Sequence, residues 1–260
     1  MVRNNKFKKA NINSFGFKNY SQYEEDGIIL FIFSIIGFTN RRAIEIGCGD
    51  CLENNTTNLI LNHMFEALLI DSDRANILKG RSYFQHNYQN ITYNPILEHK
   101  FIKIDNINQL TTKHNFNEDW DFLSIDLDGV QYWILKKIFE IIKPRLITIE
   151  THNIIPANLS ITIPYDSKFY YKNNKLDHYD FRSCSIAAIE NLGKINNYVL
   201  IGSNTLGFNS FLLRRDIFED HKEVFKEMTS EQILSSLNPN YKKELNNRWE
   251  KVKDLKWDYV

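Results

Sequence analysis

Ala43-Ile44-Glu45-Ile46-Gly47-Cys48-Gly49-Asp50 is the stretch that decides the fold. An apolar run carrying one acid ends at a turn with two glycines, the make-up of a buried strand meeting a tight turn. A second apolar run, Leu68-Leu69-Ile70, ends in Asp71. Strand, glycine turn, helix, strand and acid form the pattern of an α/β nucleotide-binding crossover. A dinucleotide fingerprint wants a further glycine three positions after Gly49, where Leu52 stands. Two glycines let the backbone approach a ligand closely without building a full pyrophosphate cradle. The turn therefore points to a nucleoside-like cofactor such as S-adenosylmethionine rather than to a dinucleotide.

Outward from this turn the same unit repeats. Residues 26–36 read as a helix stopped by Gly37, and residues 43–46 as the first strand. Asn54 or Asn55 can cap the next helix, with Leu59, Ile60, His63 and Met64 on one face. A strand at 67–70, a helix over 74–89 and a third strand at 101–104, ending at Asp105-Asn106, come next. A fourth strand at 122–125 ends in Asp126-Leu127-Asp128-Gly129, and a helix over 130–142 stops before Pro144. A fifth strand at 146–149 ends at Glu150. Residues 184–195 read as a helix with Ile186, Ile189 and Ile195 on one side, and 198–201 with 208–213 as a closing hairpin. Five strands alternating with helices imply a Rossmann-like α/β fold, a doubly wound, mostly parallel sheet. The hairpin brings it to seven strands, with one antiparallel strand expected at the edge.

At 43% hydrophobic and 25% charged over 260 residues, the chain can bury a sizeable core. Lys+Arg and Asp+Glu are 32 each, so neither nucleic acid nor an anionic membrane is expected as a partner. Three cysteines suggest a reducing, cytoplasmic setting without a disulfide framework. Cys48 and Cys51 form a C-x-x-C, but no second pair exists and a glycine turn wants small residues anyway. A redox or metal pair is the weaker reading. No apolar run reaches the about 18 residues of a membrane span, and the basic start lacks the adjoining apolar region of a signal peptide.

Ligands of an open α/β sheet bind beyond the carboxyl ends of the strands, where the strand order reverses. The acids expected there are Glu45, Asp71, Asp105, Asp126, Asp128 and Glu150. One or two would be ordinary where core gives way to solvent; the set is the signal. Asp71 is placed to accept both hydroxyls of a ribose. Glu45 faces a ligand ammonium or braces the turn. Asp105 and Asn106 meet an adenine edge or cap a helix. Asp126-Leu127-Asp128-Gly129 has three readings: the acid pair of a methyltransferase, the nucleophile motif of a haloacid-dehalogenase-type phosphatase, or the Asp-x-Asp of a metal-dependent glycosyltransferase. The phosphatase motif normally opens its domain, and a nucleotide-sugar site leaves the glycine turn unexplained, so the first reading leads.

With these residues in hand the chain resembles the FkbM-type S-adenosylmethionine-dependent methyltransferases over roughly residues 20–215. The resemblance is carried by Tyr20-Ser21-Gln22 with Glu25-Asp26, the glycine turn, Asp105-Asn106-Ile107-Asn108, and Ser124-Ile125-Asp126-Leu127-Asp128-Gly129 followed by Tyr132-Trp133. It implies a class I methyltransferase-type fold with S-adenosyl-L-methionine as cofactor. Ser21, Gln22, Glu45, Gly47, Gly49, Asp71, Asp105, Asn106 and Asp126 fall on the cofactor side. It also implies methylation of hydroxyls on sugars and other small metabolites, in antibiotic or cell-surface polysaccharide pathways. The chain departs from the family at Val130-Gln131, where an Asn-Asp is usual, and at Thr151-His152-Asn153, where Glu150 would be followed by Tyr-Asn. Both departures fall on the acceptor side.

A hydroxyl acceptor benefits from a base that takes its proton during attack, and Asp128, Glu150 and His152 are the candidates. Asp126, Asp128 and Glu150 could also hold a divalent cation, although acids at strand ends serve cofactor and base roles equally well. The expected acceptor is a small molecule, a sugar or a nucleotide-linked sugar. The expected organisation is an N-terminal arm at 1–20, a methyltransferase domain at 21–215 with a tyrosine-rich substrate insertion at 151–180, and a helical C-terminal extension at 216–260. Leu245, Trp249, Val252 and Leu255 or Lys256 recur at helical spacing and pack on their own domain or form a homodimer contact. A non-catalytic subunit that binds cofactor or a partner is the remaining alternative.

Overall fold

The computed structural model describes residues 9–87, 89, 91–170 and 178–260. Its centre is β1 (Arg42–Ile46), which pairs in parallel with β2 (Glu66–Asp71) on one side and β4 (Phe122–Ile125) on the other. Beyond β2 lies β3 (Ile96–His99), and beyond β4 lies β5 (Leu146–Glu150), both parallel. The late hairpin is β7 (Tyr198–Ser203) and β8 (Asn209–Arg214). The sheet order is β3-β2-β1-β4-β5-β8-β7. From β1 the chain winds outward to β3 and then returns to β4, so the crevice between β1 and β4 is the switch point. This is a doubly wound, mostly parallel sheet of seven strands, as the sequence led one to expect.

One detail differs from the sequence reading. The antiparallel strand is not at the edge. β8 lies between β5 and β7, antiparallel to both. A short hairpin turn forces β8 to reverse against β7, and β8 rather than β7 takes the place beside β5. Its Phe211, Leu212 and Leu213 are fully buried, which suits an inner strand.

The strands are apolar on both faces because both are covered. Ile44, Ile46, Leu68, Ile70, Leu123 and Ile125 face α5 (Gln131–Ile138) and α6 (Ile186–Ile195). Ala43, Ala67, Leu69 and Phe122 face α1 (Glu25–Ile36), α2 (Thr57–His63) and α3 (Arg74–His86). α1 stops at Gly37, whose φ is +65°. Asn54 serves α2 as expected of a capping residue: its Oδ1 accepts from Thr57 N at 2.9 Å. Two positions read as buried are not. Met64 is an exposed left-handed C-cap of α2, and Ile195 ends α6 at 80% exposure.

The third strand lies earlier than expected. Residues 96–99 pair with β2, whereas 101–104 form a crossover that runs past the carboxyl end of the sheet into α4 (Ile107–Lys113). As an edge strand β3 buries only Leu97 fully, so its apolar signal is weak. The crossover looks strand-like because Phe101, Ile102 and Ile104 pack inward, with Ile104 N donating to Tyr165 Oη at 3.2 Å.

The described part of the arm and the C-terminal segment both join the same body. In the arm, Ile12 is buried and Phe15 stacks on Phe31 at 3.7 Å. At the other end come α7 (Arg215–Asp220), α8 (Ser230–Ser236) and α9 (Pro239–Trp249). Leu245, Trp249, Val252 and Trp257 enter the main core, so the intramolecular packing is satisfied by this chain itself. The insertion is not only loop: β6 (Ile161–Thr162) pairs antiparallel with β9 (Asp258–Tyr259). Of its tyrosines, Tyr171 falls outside the described residues. Among the described residues no helix is long and apolar enough to cross a membrane.

Candidate active site

Two cavities adjoin at the carboxyl ends of β1, β2, β4 and β5, and they share Asp126 and Asp128. The first, of about 260 Å³, has Gly47, Gly49, Asp71 and Asp126 in its wall. Gly47 and Gly49 hold φ of +88° and +56°, a region that favours glycine. Gly49 presents bare backbone: a Cβ there would meet nothing within 4 Å. Its N–H donates to Asp71 Oδ2 at 2.9 Å, while Asp73 N donates to Asp71 Oδ1 at 2.7 Å. Asp71 thus ties the glycine turn to the start of α3. Burial pushes its carboxyl up, and these two N–H groups pull it part of the way back. Phe101, Ile102, Phe169 and Tyr170 add an apolar and aromatic wall.

The second cavity, of about 320 Å³, draws on six parts of the chain. The segment before α1 gives Gln22 and Tyr23, the end of β4 gives Asp126 and Asp128, and the end of β5 gives Glu150, His152 and Asn153. Tyr179 and Arg182 come from the end of the insertion and the residues just after it, Phe208 from the β7–β8 turn, and Tyr241 and Arg248 from α9. Asp128 sits in a left-handed backbone, φ +50°, and its carboxylate is ion-paired with Arg182. Such backbone is tolerated by Asp better than by most residues and clusters at functional sites. Gln131, fully buried, links the wall together. Its Oε1 accepts from Gly129 N at 2.7 Å, and its Nε2 donates to Glu150 Oε2 at 2.8 Å and to Ser183 Oγ at 2.5 Å.

Burial and the neighbouring Asp126 carboxylate push Glu150 well above the usual carboxylate range. Burial also raises Asp126, offset by its bond with Glu150 and the Arg182 charge. The two carboxyls titrate as a pair, with the proton affinity raised more strongly on the Glu150 side. His152 is pushed down to about 4, first by burial and then by the Arg248 charge, against the pull of Asp180. It is a neutral imidazole at physiological pH. Its Nε2 lies 2.9 Å from the Asp180 carbonyl oxygen.

Asp126, Asp128 and Glu150 each offer an oxygen, all within 4.8 Å of one another. That donor set suits a hard divalent cation. A cation would have to displace Arg182 from Asp128 and overcome the raised proton affinity of Glu150.

The residues singled out in the sequence divide as follows. Gly47, Gly49 and Asp71 line the first cavity, and Asp126 and Asp128 line both. Glu150, His152 and Gln22 line the second. Ser21, Glu45, Asp105 and Asn106 line neither. Ser21 is buried, with Asp26 Oδ2 accepting from its N and Oγ at 2.7 and 3.0 Å, which folds the approach to α1. Glu45 braces the loop before α2, accepting from Asn55 N at 2.9 Å and Thr56 N at 3.0 Å. Asp105 is exposed, and Asn106 holds its own turn through Lys103 N and Phe101 O. The shift of the third strand explains this, because the cavity meets the crossover at Lys100, Phe101 and Ile102 instead. Cys48 and Cys51 are buried free thiols; contact with Cys51 and burial push Cys48 far above the usual thiol range, so it is inert. Sequence reasoning missed Gln131 as a brace, and it missed Arg182, Tyr241 and Arg248. No local motif marks these last three.

No protein-family model matches the chain, and no curated protein matches it. Solved structures do. The chain is similar to an S-adenosylmethionine-dependent methyltransferase from Clostridium acetobutylicum, at 14% identity over 76% of this chain and 92% of that one, TM-score 0.46. It is similar to precorrin-6y C5,15-methyltransferase from Geobacter metallireducens, at 10% identity over 79% and 98%, TM-score 0.42. It is also similar to PKMT2 from Rickettsia typhi, at 9% identity over 77% of this chain and 55% of that one, TM-score 0.47. At such identities the likeness is one of overall fold and says nothing of substrate.

Proposed function

We propose that the chain is an S-adenosylmethionine-dependent methyltransferase acting on a hydroxyl of a small polar acceptor, a sugar or a nucleotide-linked sugar. The observation that carries this reading is the sharing of Asp126 and Asp128 by two differently built cavities. A donor held in one and an acceptor held in the other would meet at that pair. The first cavity has what a nucleoside-type cofactor needs. Gly47 and Gly49 offer close backbone approach, Asp71 keeps lone pairs for ribose hydroxyls beyond its two N–H bonds, and Phe101 and Phe169 offer apolar faces. When bound, S-adenosylmethionine supplies a methyl group already activated by the sulfonium.

The second cavity mixes hydrogen-bonding groups with the rings of Tyr23, Phe208 and Tyr241, a lining suited to a polyhydroxyl ring. Among the candidate bases, Asp128 is engaged by Arg182, and Glu150 accepts from Gln131 and shares a hydrogen bond with Asp126. His152, unprotonated and in the same wall, is the candidate left to accept the hydroxyl proton. The family resemblance assigns such a reaction to cytoplasmic biosynthesis of cell-surface polysaccharide or secondary metabolites. The three-carboxylate grouping favours a second reading, a metal-dependent phosphatase or glycosyltransferase built on Asp126 and Asp128.

The test is incubation with methyl-labelled S-adenosylmethionine and a panel of sugars and nucleotide-sugars, with and without magnesium. Labelled O-methyl product that disappears in His152→Gln supports the proposal. Bound cofactor with no transfer to any member favours the non-catalytic alternative. Magnesium-dependent hydrolysis or glycosyl transfer, without methyl transfer, favours the second reading.

A further inference from the structure

The short segment from Asp180 to Ser183 touches His152 and Asp128 of the acceptor cavity directly and reaches Glu150 through Gln131. The Asp180 carbonyl oxygen is 2.9 Å from His152 Nε2. Arg182 pairs with Asp128. Ser183 Oγ accepts from Gln131 Nε2, which also holds Glu150. Ser183 itself sits in left-handed backbone, φ +62°, which costs about 1 kcal/mol and persists only where surrounding contacts impose it.

Ser183 is held by Gln131, Thr162 and Ile163, and the residues just before it are held by the C-terminal part of the chain. Arg248 of α9 donates twice to the Asp180 carboxylate, Nε to Oδ2 at 3.0 Å and Nη2 to Oδ1 at 2.5 Å. Phe181 packs edge-on against Trp257 with centroids 4.8 Å apart. Asn153 Nδ2 donates to Tyr241 Oη at 2.9 Å, so α9 also touches the loop that carries His152. A two-pronged guanidinium–carboxylate contact fixes orientation as well as distance.

A carbonyl oxygen can only accept a hydrogen bond. The contact with Asp180 therefore puts the ring proton on Nε2 and leaves the lone pair on Nδ1. We propose that Arg248 is a positioning residue: by clamping Asp180 it holds His152 as the Nε2–H tautomer, with Nδ1 the proton-accepting nitrogen. The inference rests on the reading of His152 as the base of a methyl transfer. It makes the C-terminal extension a working part of the acceptor site.

Tautomers are read directly by two-bond ¹H–¹⁵N NMR on the full chain labelled with ¹⁵N-histidine, with His152 assigned by its loss in His152→Gln. The wild type at neutral pH is expected to give one Nε2–H pattern. Arg248→Gln is expected to give a mixture of both tautomers, and Arg248→Lys to restore most of the wild-type pattern. Asp180→Asn keeps the carbonyl and the side-chain shape while weakening the clamp, and is expected to give a mixture too; it decides the matter if Arg248→Gln does not fold. A wild-type Nδ1–H pattern, or an unchanged pattern in the folded variants, overturns the proposal. S-adenosylhomocysteine affinity, measured on the same samples, should be unchanged, since Arg248 lines only the acceptor cavity. Failure of the wild type to bind it would sink the methyltransferase reading and leave the tautomer result standing.

Discussion

Gly47 lies so close to the main chain of Asp126 that a Cβ on it would stand 1.6 Å from the Asp126 carbonyl oxygen. The glycine turn after β1 and the acid after β4 are thus packed backbone to backbone across the switch point. Neither can move without the other. Gly47→Ala must displace main chain on one side and also strain φ +88°. A loss of about 3 kcal/mol or more in urea unfolding is expected.

Gly49 separates folding from binding. A Cβ there enters open space in the first cavity, and only the left-handed backbone, φ +56°, resists it. Gly49→Ala should cost about 1–2 kcal/mol of stability and occupy room that the cofactor needs. A melting curve near that of the wild type, with clearly weakened S-adenosylhomocysteine binding, is the expected pair of results.

Asp71 holds Gly49 N–H and Asp73 N–H, and under the proposed function its remaining lone pairs would meet a ribose. Asp71→Asn keeps the shape but removes the charge and one acceptor. Loss of a charge-assisted bond is worth about 2 kcal/mol, or roughly thirtyfold in affinity, by calorimetry.

Asp121 is a stability residue at the far end of the sheet. Its buried carboxylate accepts from Thr39, Asn40 and Arg41 N–H groups and from Arg145 Nη1 at 2.8 Å. Asp121→Ala leaves these donors unmatched and should lower unfolding free energy by about 3–5 kcal/mol, with cofactor affinity of the folded fraction unchanged.

Glu45 makes stability fall with rising pH. Burial outweighs the bonds it accepts and lifts its carboxyl from 4.5 to about 7. The folded chain keeps a proton that the unfolded chain releases. The contribution is therefore complete below pH 4.5 and lost as pH rises through about 7. Glu45→Gln cannot ionise. Its unfolding free energy relative to the wild type should improve by on the order of 3 kcal/mol between about pH 5 and about pH 8; a pH-independent difference would show that Glu45 titrates normally.

The strands β1, β2, β4 and β5 and the glycine turn of the first cavity were legible because they rest on local signals. The glycine turn, Asp71 and the run of buried strands each announce themselves within a few residues. The third strand was not, because an edge strand needs little apolar surface while the crossover at 101–104 buries more. The place of β8 was hidden because a hairpin signal fixes pairing within the hairpin but not which strand meets β5. The acceptor cavity was half legible. Asp128, Glu150 and His152 sit at strand ends, whereas Arg182, Tyr241 and Arg248 arrive from segments whose contacts only the folded chain brings together.

The central claim, that the first cavity is built for S-adenosylmethionine, is tested most directly by calorimetric titration of the folded protein with S-adenosylmethionine and S-adenosylhomocysteine, with and without magnesium. Saturable binding at one site per chain, weakened roughly thirtyfold in Asp71→Asn, is the predicted result. No binding of either compound by folded wild-type protein would contradict the account and bring the Asp126/Asp128 metal chemistry forward.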